Sequence, residues 1–535
     1  MSSDTQVAIE AGDTLENLVN QFTDPYACLR ELIQNSMDAG SETIDVWFEY
    51  NPYEKGDKGI AIIHLDDTGE GMTRRIIDTK LTQLFSSNKE DDLTKVGKFG
   101  IGFVSVFALE PNAVIVDTGR DGEYWRLIFK QNRKFDRILL NHPVEGTQIQ
   151  IVKETTEQEF EKMKKRSVET IRYWCKHVQA EITVDGEVVN EEFRIGHRHE
   201  FVHQGQDTEI VVSPTLETEP FYGFYNRGLT LKEGAKEYHS GISFKVSSRY
   251  LEHTLTRDNV ITDKHYDKAM ALLKDIIDGD FRKQLFQRAA NSFDYELFGH
   301  LAPRLGRRIP SEYANMPLLP TVDGERVSIK SVQRAAKKQG MVIYAPEETE
   351  LTRAIAGQKG VPVIKWEGPD KQPGLERLLD RITGGKPMAL ADRTWALPQI
   401  QDRFPEGKRR LLIEANKLMR NTGSKYKELV PADFTQHSEA LAETLYIEQM
   451  NAGDLYFVEE KLEKPRDWKN FLLGFVRAKH LVVNVTHPLI EPHFQLYQAR
   501  PMLAAYLFTK ALTIDDGLDA DTESKLLQAA LEMDH

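Results

Sequence analysis

Cysteine is almost missing from this chain: 535 residues contain two, Cys28 and Cys175, at no metal-ligand spacing. A disulfide framework and a cysteine-built zinc site are therefore excluded, and a reducing, cytoplasmic setting is expected. Long apolar runs are missing too, since no stretch approaches the ~20 residues that cross a bilayer. The opening MSSDTQVAIEAGD has no basic region ahead of an apolar core, so no cleaved leader is expected. Positive charge is in deficit: 69 Lys and Arg stand against 83 Asp and Glu, a net charge of −14. That balance argues against a broad nucleic-acid surface and leaves room only for a local basic patch. No internal repeat, low-complexity tract, Walker pattern or HExxH is present. His480, His487 and His493 lie seven and six residues apart, which matches no compact ligand motif.

What remains is an ordinary globular composition, 40% hydrophobic and 28% charged, with a mean hydropathy of −0.47. A chain this long exceeds a single core, and about two to four domains are expected. The most informative stretch is Glu31-Leu-Ile-Gln-Asn35-Ser-Met-Asp38-Ala-Gly40. Read as a helix, it places Glu31, Asn35 and Asp38 in one narrow polar stripe, with Leu29 and Ile33 roughly opposite. Asp24 is a candidate cap, Pro25 a candidate first helical residue, and Gly40 a candidate left-handed terminator. Such a stripe faces either water or a cavity, and the rest of the chain decides between them.

Strands are expected over residues 43–50 and 60–65, the second running into Asp66-Asp67-Thr68-Gly69-Glu70-Gly71-Met72. A carboxylate at a strand end, with glycines two and four positions on, suits close approach of backbone to a flat ligand. Such a carboxylate can accept a hydrogen bond from an exocyclic amine. Further on, Gly97-Lys98-Phe99-Gly100-Ile101-Gly102-Phe103 leads into an apolar run at 104–109 that reads as a buried helix. Glycines ahead of a helix start expose N–H groups to an anion. Residues 73–96 contain no Pro or Gly and suit a segment that folds over a ligand. More strands are expected at 113–117, 124–130 and 147–153, the last opening Gly146-Thr147, then a helix over 157–178 and a hairpin at 182–189. The order implies an α+β fold whose first part is a two-layer α/β sandwich.

Glu-x-x-x-Asn-x-x-Asp, Asp-x-Gly-x-Gly-Met, Gly-x-x-Gly-x-Gly-Phe and Gly-Thr in this order resemble the motif series of the GHKL ATPases. That superfamily includes Hsp90 chaperones, MutL, MORC proteins, gyrase B and histidine kinases. The wording LRELIQNSMDA, DDTGEGMT and GKFGIGFVSVF is most similar to Hsp90. The resemblance implies a Bergerat-type ATP domain over residues 1–198, with ATP and Mg²⁺ as its ligands. It makes Glu31 the general base, Asn35 the Mg²⁺ ligand and Asp38 a pocket wall. Asp67 would bond the adenine amine, supported by Thr147, with Gly71 and Met72 as the adenine floor. Gly97, Lys98, Gly100, Gly102 and Phe103 would hold phosphates, and 73–102 would contain the lid.

The middle of the chain resembles that family less closely. Thr256-Arg257-Asp258, after strands at 228–231 and 241–246, looks like the element by which a middle domain brings an arginine to the γ-phosphate. Arg257 is thus a second catalytic candidate, with Arg249 as its alternative. Residues 199–300 would form an S5-like middle domain, and 301–385 a small β-α-β-α-β part. A helix-rich C-terminal domain over 386–535 is expected to carry helices at 408–419, 439–450, 466–477, 498–512 and 523–531. It ends Leu-Glu-Met-Asp-His rather than in the acidic peptide of cytosolic Hsp90.

The resemblance therefore implies an ATPase, slow because its work is conformational, and a homodimer acting on an unidentified client protein. The reading from a different class is an ATP-gated, DNA-associated clamp of the MutL or MORC kind, or a defence or regulatory ATPase working through a partner. No membrane association is expected.

Overall fold

The computed structural model describes residues 24–81, 102–131, 134–254, 259–292, 294–305, 309–403, 405–421, 426–434, 441, 444–458, 479–513 and 519–533. The chain divides into two compact units, Met1–Arg282 and Lys283–His535.

The first unit opens with the expected helix, Ala27–Asp38. Cys28, Leu29, Leu32 and Ile33 are at most 1% exposed, and each buried leucine or isoleucine of this kind contributes about 1.5–3 kcal/mol. Its start differs from expectation. Asp24 caps nothing inside the helix; its carboxylate accepts the Tyr26 N–H at 3.1 Å, closing a local turn. Pro25 lies in that turn, and the first helical residue is Ala27. The end is as expected, with Gly40 at φ +77° donating to the Met37 carbonyl at 3.0 Å.

Eight strands follow: β1 (Thr43–Pro52), β2 (Lys58–Asp67), β3 (Ala113–Arg120), β4 (Glu123–Lys130), β5 (Phe135–Leu139), β6 (Thr147–Thr156), β7 (Glu181–Val184) and β8 (Glu187–Val188). They form one sheet in the order β5-β4-β3-β6-β2-β1-β7-β8. Only the β1–β7 pair is parallel. Alternate residues point to one face: Ile44 and Val46, Ala61, Ile63 and Leu65, Val114 and Val116, Leu127 and Phe129, Ile149 and Ile151. That face packs on Ala27–Asp38 and on the helix Glu157–Cys175, which contributes Phe160, Met163 and Ile171. The result is a mixed α+β sandwich with one helical layer on a large sheet. β5 was not expected, because an edge strand carrying Asp136, Arg137 and exposed Ile138 and Leu139 lacks a clean apolar alternation.

The apolar run at 104–109 is the expected buried helix, of 3₁₀ form over Ser105–Leu109. Glu110 is left-handed at φ 54°, and Pro111 disfavours α geometry in the residue before it. Five further strands, β9 (Phe201–Gln204), β10 (Thr208–Pro214), β11 (Phe221–Asn226), β12 (Leu229–Ala235) and β13 (Ile242–Ser248), make a second sheet ordered β12-β11-β13-β10-β9.

The second unit contains the expected β-α-β-α-β series. A hairpin, Pro317–Pro320 with Arg326–Ser328, precedes the helix Ile329–Gln339. Val342–Ala345 then pairs in parallel with Ile364–Lys365 and Met388–Leu390. The end is rich in helices, Glu406–Asn421, Ile490–Ala499, Pro501–Thr513 and Ala520–Met533. They share a core with a four-stranded sheet that periodicity did not reveal. The end of the helix expected over 439–450 is not helical, since Tyr446–Gln449 is a strand paired antiparallel with Lys479–Asn484, while residues 439, 440, 442 and 443 lie outside the described residues. A partner strand some thirty residues away overrides weak local spacing there. The helix expected at 466–477 lies outside the described residues.

Candidate active site

A cavity of about 240 Å³ opens beside the Ala27–Asp38 helix. Leu32, Asn35, Ser36 and Asp38 come from that helix, and Asp67, Glu70, Gly71 and Met72 from the end of β2 and its loop. Phe103, Val116, Arg120, Thr147 and Ile149 complete the walls with Ile76 and Leu81.

Asp67 is the most constrained polar group in it, 7% exposed. Ser36 Oγ donates to Oδ2 at 2.8 Å, while the N–H groups of Gly69 and Thr147 donate to Oδ1 at 2.9 and 3.2 Å. One oxygen is thus held by backbone, and the other keeps capacity to accept from a ligand. The pairing Asp67↔Thr147 of β2 with β6 fixes this geometry. Gly146 is left-handed at φ +60°, and an added Cβ would meet the Asp67 carbonyl oxygen at 1.8 Å. No other residue fits there. Gly71, at φ +67°, is equally closed, since a Cβ would stand 2.1 Å from the Gly119 carbonyl oxygen. Met72 N–H donates to Thr118 Oγ1 at 2.9 Å, and Thr118 Oγ1 lies 3.1 Å from Thr147 Oγ1. Thr118 was missed from sequence because it lies one residue past the expected strand 113–117, in a part of β3 with no local pattern of its own. Only the β3–β6 register, Thr118↔Thr147, brings it to the site.

At the other end, Glu31 is 6% exposed. A Cβ on Gly102 would lie 3.1 Å from Glu31 Oε2 and 3.9 Å from the Asn35 amide nitrogen. The start of the Gly102 helical turn therefore sits directly on the Glu31–Asn35 stripe. Arg30, 2% exposed, stacks on Trp174 at 4.8 Å and brings Nη1 within 3.9 Å of Glu31 Oε1. Phe103 is buried against Phe129 at 5.2 Å, as much a core residue as a wall. Gly97, Lys98, Gly100 and Arg257 lie outside the described residues, as does most of the expected lid. Its start, Arg74–Ile76 followed by a π-helical turn at Ile77–Leu81, is capped by Thr73. Arg249 is engaged by Asp207 at 3.2 Å and by the Tyr250 hydroxyl at 2.7 Å.

Two cations not foreseen from sequence pair with carboxylates of the cavity wall, and of the two only Arg120 lines the cavity itself. Arg120 pairs with Glu70 at 2.6 Å. Arg227, in the turn between β11 and β12, pairs with Asp38 at 3.4 Å. Both depend on sheet register and packing, for which a single sequence holds no local signal.

On the opposite face of β2, Asp66 lies beside Asp45 of β1 and shares Gln148 as a neighbour with Asp117 of β3. Burial first, then the charges of Asp45, Asp67 and Asp117, push its pKa up to about 6. The folded value exceeds the unfolded one of about 3.9, so folding favours the protonated form. Its stability contribution is full below about pH 4 and lost as pH rises through about 6. Asp66→Asn should therefore raise Tm at pH 7.5, by about 1 kcal/mol or roughly 2–4 °C once solvent screening is allowed for. The gain should vanish at pH 4, as thermal melts across that range would show.

Strands β1–β6 of the one-sided sheet, the polar helical stripe and the carboxylate buried at the end of β2 all lie within one stretch of chain for which a family match is found. Residues 24–170 match the family described as histidine kinase-, DNA gyrase B-, and HSP90-like ATPase. The matched interval contains every cavity wall named above. It supports a GHKL ATPase domain there, and with it ATP binding. No curated protein matches the chain. Among the described residues, no helix is long and apolar enough to cross a membrane.

Proposed function

We propose that this chain is a slow, Mg²⁺-dependent ATPase that works as an Hsp90-like conformational machine. The observation that carries the reading is a cavity lined by Asp67, held by three donors, and by Asn35, beside which Glu31 packs against Gly102. Asp67 accepts from the adenine amine while Thr147 and Ser36 hold it in place, and Gly71 and Met72 supply the floor. Glu31 takes the proton of the attacking water. Asn35 offers an amide oxygen, a hard donor suited to Mg²⁺. That ion, when bound, would offset phosphate charge. Gly102 and Phe103, with Gly97, Lys98 and Gly100, surround the phosphates, and Arg257, or Arg249 in its place, approaches the γ-phosphate from the middle domain.

In this reading residues 1–198 bind ATP, 199–300 and 301–385 are the two parts of a middle segment, and 386–535 serve dimerisation or partner binding. The chain acts as a cytoplasmic homodimer on a client protein. ATP closes the 73–102 lid and pairs two ATP domains, and hydrolysis reopens them.

The test is the solution mass and hydrodynamic radius with and without a non-hydrolysable ATP analogue. Compaction or nucleotide-dependent dimerisation is expected. Identical values in both states, with the analogue shown to be bound, would remove the conformational machine and leave a nucleotide-binding scaffold. Retention on DNA that requires ATP, followed across a salt series, would instead favour the clamp.

A further inference from the structure

Arg227 occupies an unusual place. It and Gly228 are the two central residues of the tight turn joining β11 to β12, at φ 48° and 88°. Such turns favour Asn or Gly at the first position, and an arginine there is strained by about 1 kcal/mol. The turn is nonetheless tightly held. The Asn226 side chain donates to the Leu251 carbonyl at 2.6 Å, and Gly228 N–H donates to Ser247 Oγ at 3.2 Å. A Cβ on Gly228 would stand 2.0 Å from the His177 carbonyl oxygen, so the turn abuts the end of the Glu157–Cys175 helix.

The same contact region is reinforced on either side. Lys176 pairs with Glu233 at 2.9 Å, Thr230 Oγ1 donates to the Tyr173 carbonyl at 2.9 Å, and buried Lys245 reaches His177 Nε2 at 2.9 Å. The second sheet is thereby fixed to the sandwich, and the strained residue projects its guanidinium onto Asp38, a wall of the cavity. Strain retained at a rigid turn beside a functional cavity is a pointer to function.

The electrostatics give that pair a task. Glu31, Asp38, Asp67 and Glu70 all lie in or against the site, and Arg120, paired with Glu70, offsets only one of them, so the lining keeps a negative excess unfavourable for a polyphosphate. Asp38 follows Asn35 by one helical turn, within the range over which charges act on each other in water. We propose that Arg227 is a positioning residue by which the second sheet takes part in nucleotide binding. It neutralises Asp38 and adds positive potential at the phosphate end of the cavity. This rests on the nucleotide reading above. By reciprocity, whatever the pair adds to phosphate binding, bound nucleotide adds to the hold of the β11–β12 turn on the sandwich.

The experiment is calorimetric titration of the full chain with Mg²⁺ and a non-hydrolysable ATP analogue, and separately with adenosine. Arg227→Gly is the informative variant, because glycine suits the left-handed turn and relieves its strain, so folding should be retained or improved. Arg227→Lys keeps the charge. For Arg227→Gly, triphosphate affinity should fall by about 2- to 5-fold at low salt, the upper range of a half-exposed ion pair. Adenosine affinity should be unchanged, the loss should shrink as salt is raised, and Arg227→Lys should recover most of it. Unchanged triphosphate affinity in Arg227→Gly, or an equal loss for adenosine, would overturn the inference and leave the pair a purely structural link. If the parent chain binds neither ligand, the nucleotide reading itself falls and this inference with it.

Discussion

Replacing Glu31 by glutamine should stop ATP hydrolysis while leaving ATP bound. The carboxylate is 6% exposed and packed against Gly102. In the proposed mechanism it is the group that receives the proton as the water oxygen bonds to the γ-phosphorus and the bond from that phosphorus to the bridging oxygen breaks, releasing ADP. An amide keeps the size and most packing but cannot accept that proton, and losses of general bases cost about 10²- to 10⁴-fold in rate. Glutamine is preferable to alanine, because alanine would open space beside the buried Arg30 guanidinium, 3.9 Å away. Phosphate release measured beside binding of a fluorescent nucleotide separates the two effects. Hydrolysis at the parent rate would sink the assignment of Glu31, whatever the affinity.

The second large effect is expected at Asp67, and there it should fall on binding. Asp67→Asn can keep Oδ1 as the acceptor for Gly69 and Thr147. Ser36 can turn to accept from the new NH₂, since its hydroxyl already has the Leu32 carbonyl at 3.2 Å as a second acceptor. The fold should therefore survive with little change in Tm. Towards the ligand, however, an acceptor has become a donor facing the adenine amine. Losing a charged hydrogen bond of about 1.5–3 kcal/mol and leaving two donors face to face should weaken adenine nucleotides by about 100-fold or more. Calorimetry of ATP and adenosine with the variant would show it, both ligands weakening together. Near-parent affinity would mean that adenine is not read by Asp67.

These two residues were readable from sequence because each stands in a short local pattern. Glu31, Asn35 and Asp38 share a stripe through helical periodicity, and Asp67 is followed by Gly69 and Gly71, the second of which is left-handed and leaves little choice of residue. The end of the first helix at Gly40 was legible for the same reason, while its start was not, because Asp24 had an equally good local partner in Tyr26. Thr118 was invisible because it enters the site only through the β3–β6 register. The strand Tyr446–Gln449 was misread as helix because its pairing with Lys479–Asn484 lies far along the chain. Arg120 and Arg227 were passed over for the corresponding reason, an arginine being an ordinary surface residue until its neighbours are known.

Sequence by itself, then, determined the α+β class, the polar stripe beginning at Glu31, the carboxylate–glycine loop at Asp67 and the GHKL resemblance that residues 24–170 support. These are properties of helical period, backbone conformation and residue chemistry over a few positions. Tertiary structure alone decided that Thr118 stands beside Thr147, that Gly102 rests on Glu31, and that an arginine from a second sheet meets Asp38. Each of these contacts joins residues brought together by strand register or by packing of one layer on another. Their spacing along the chain carries no period from which such a contact could be read.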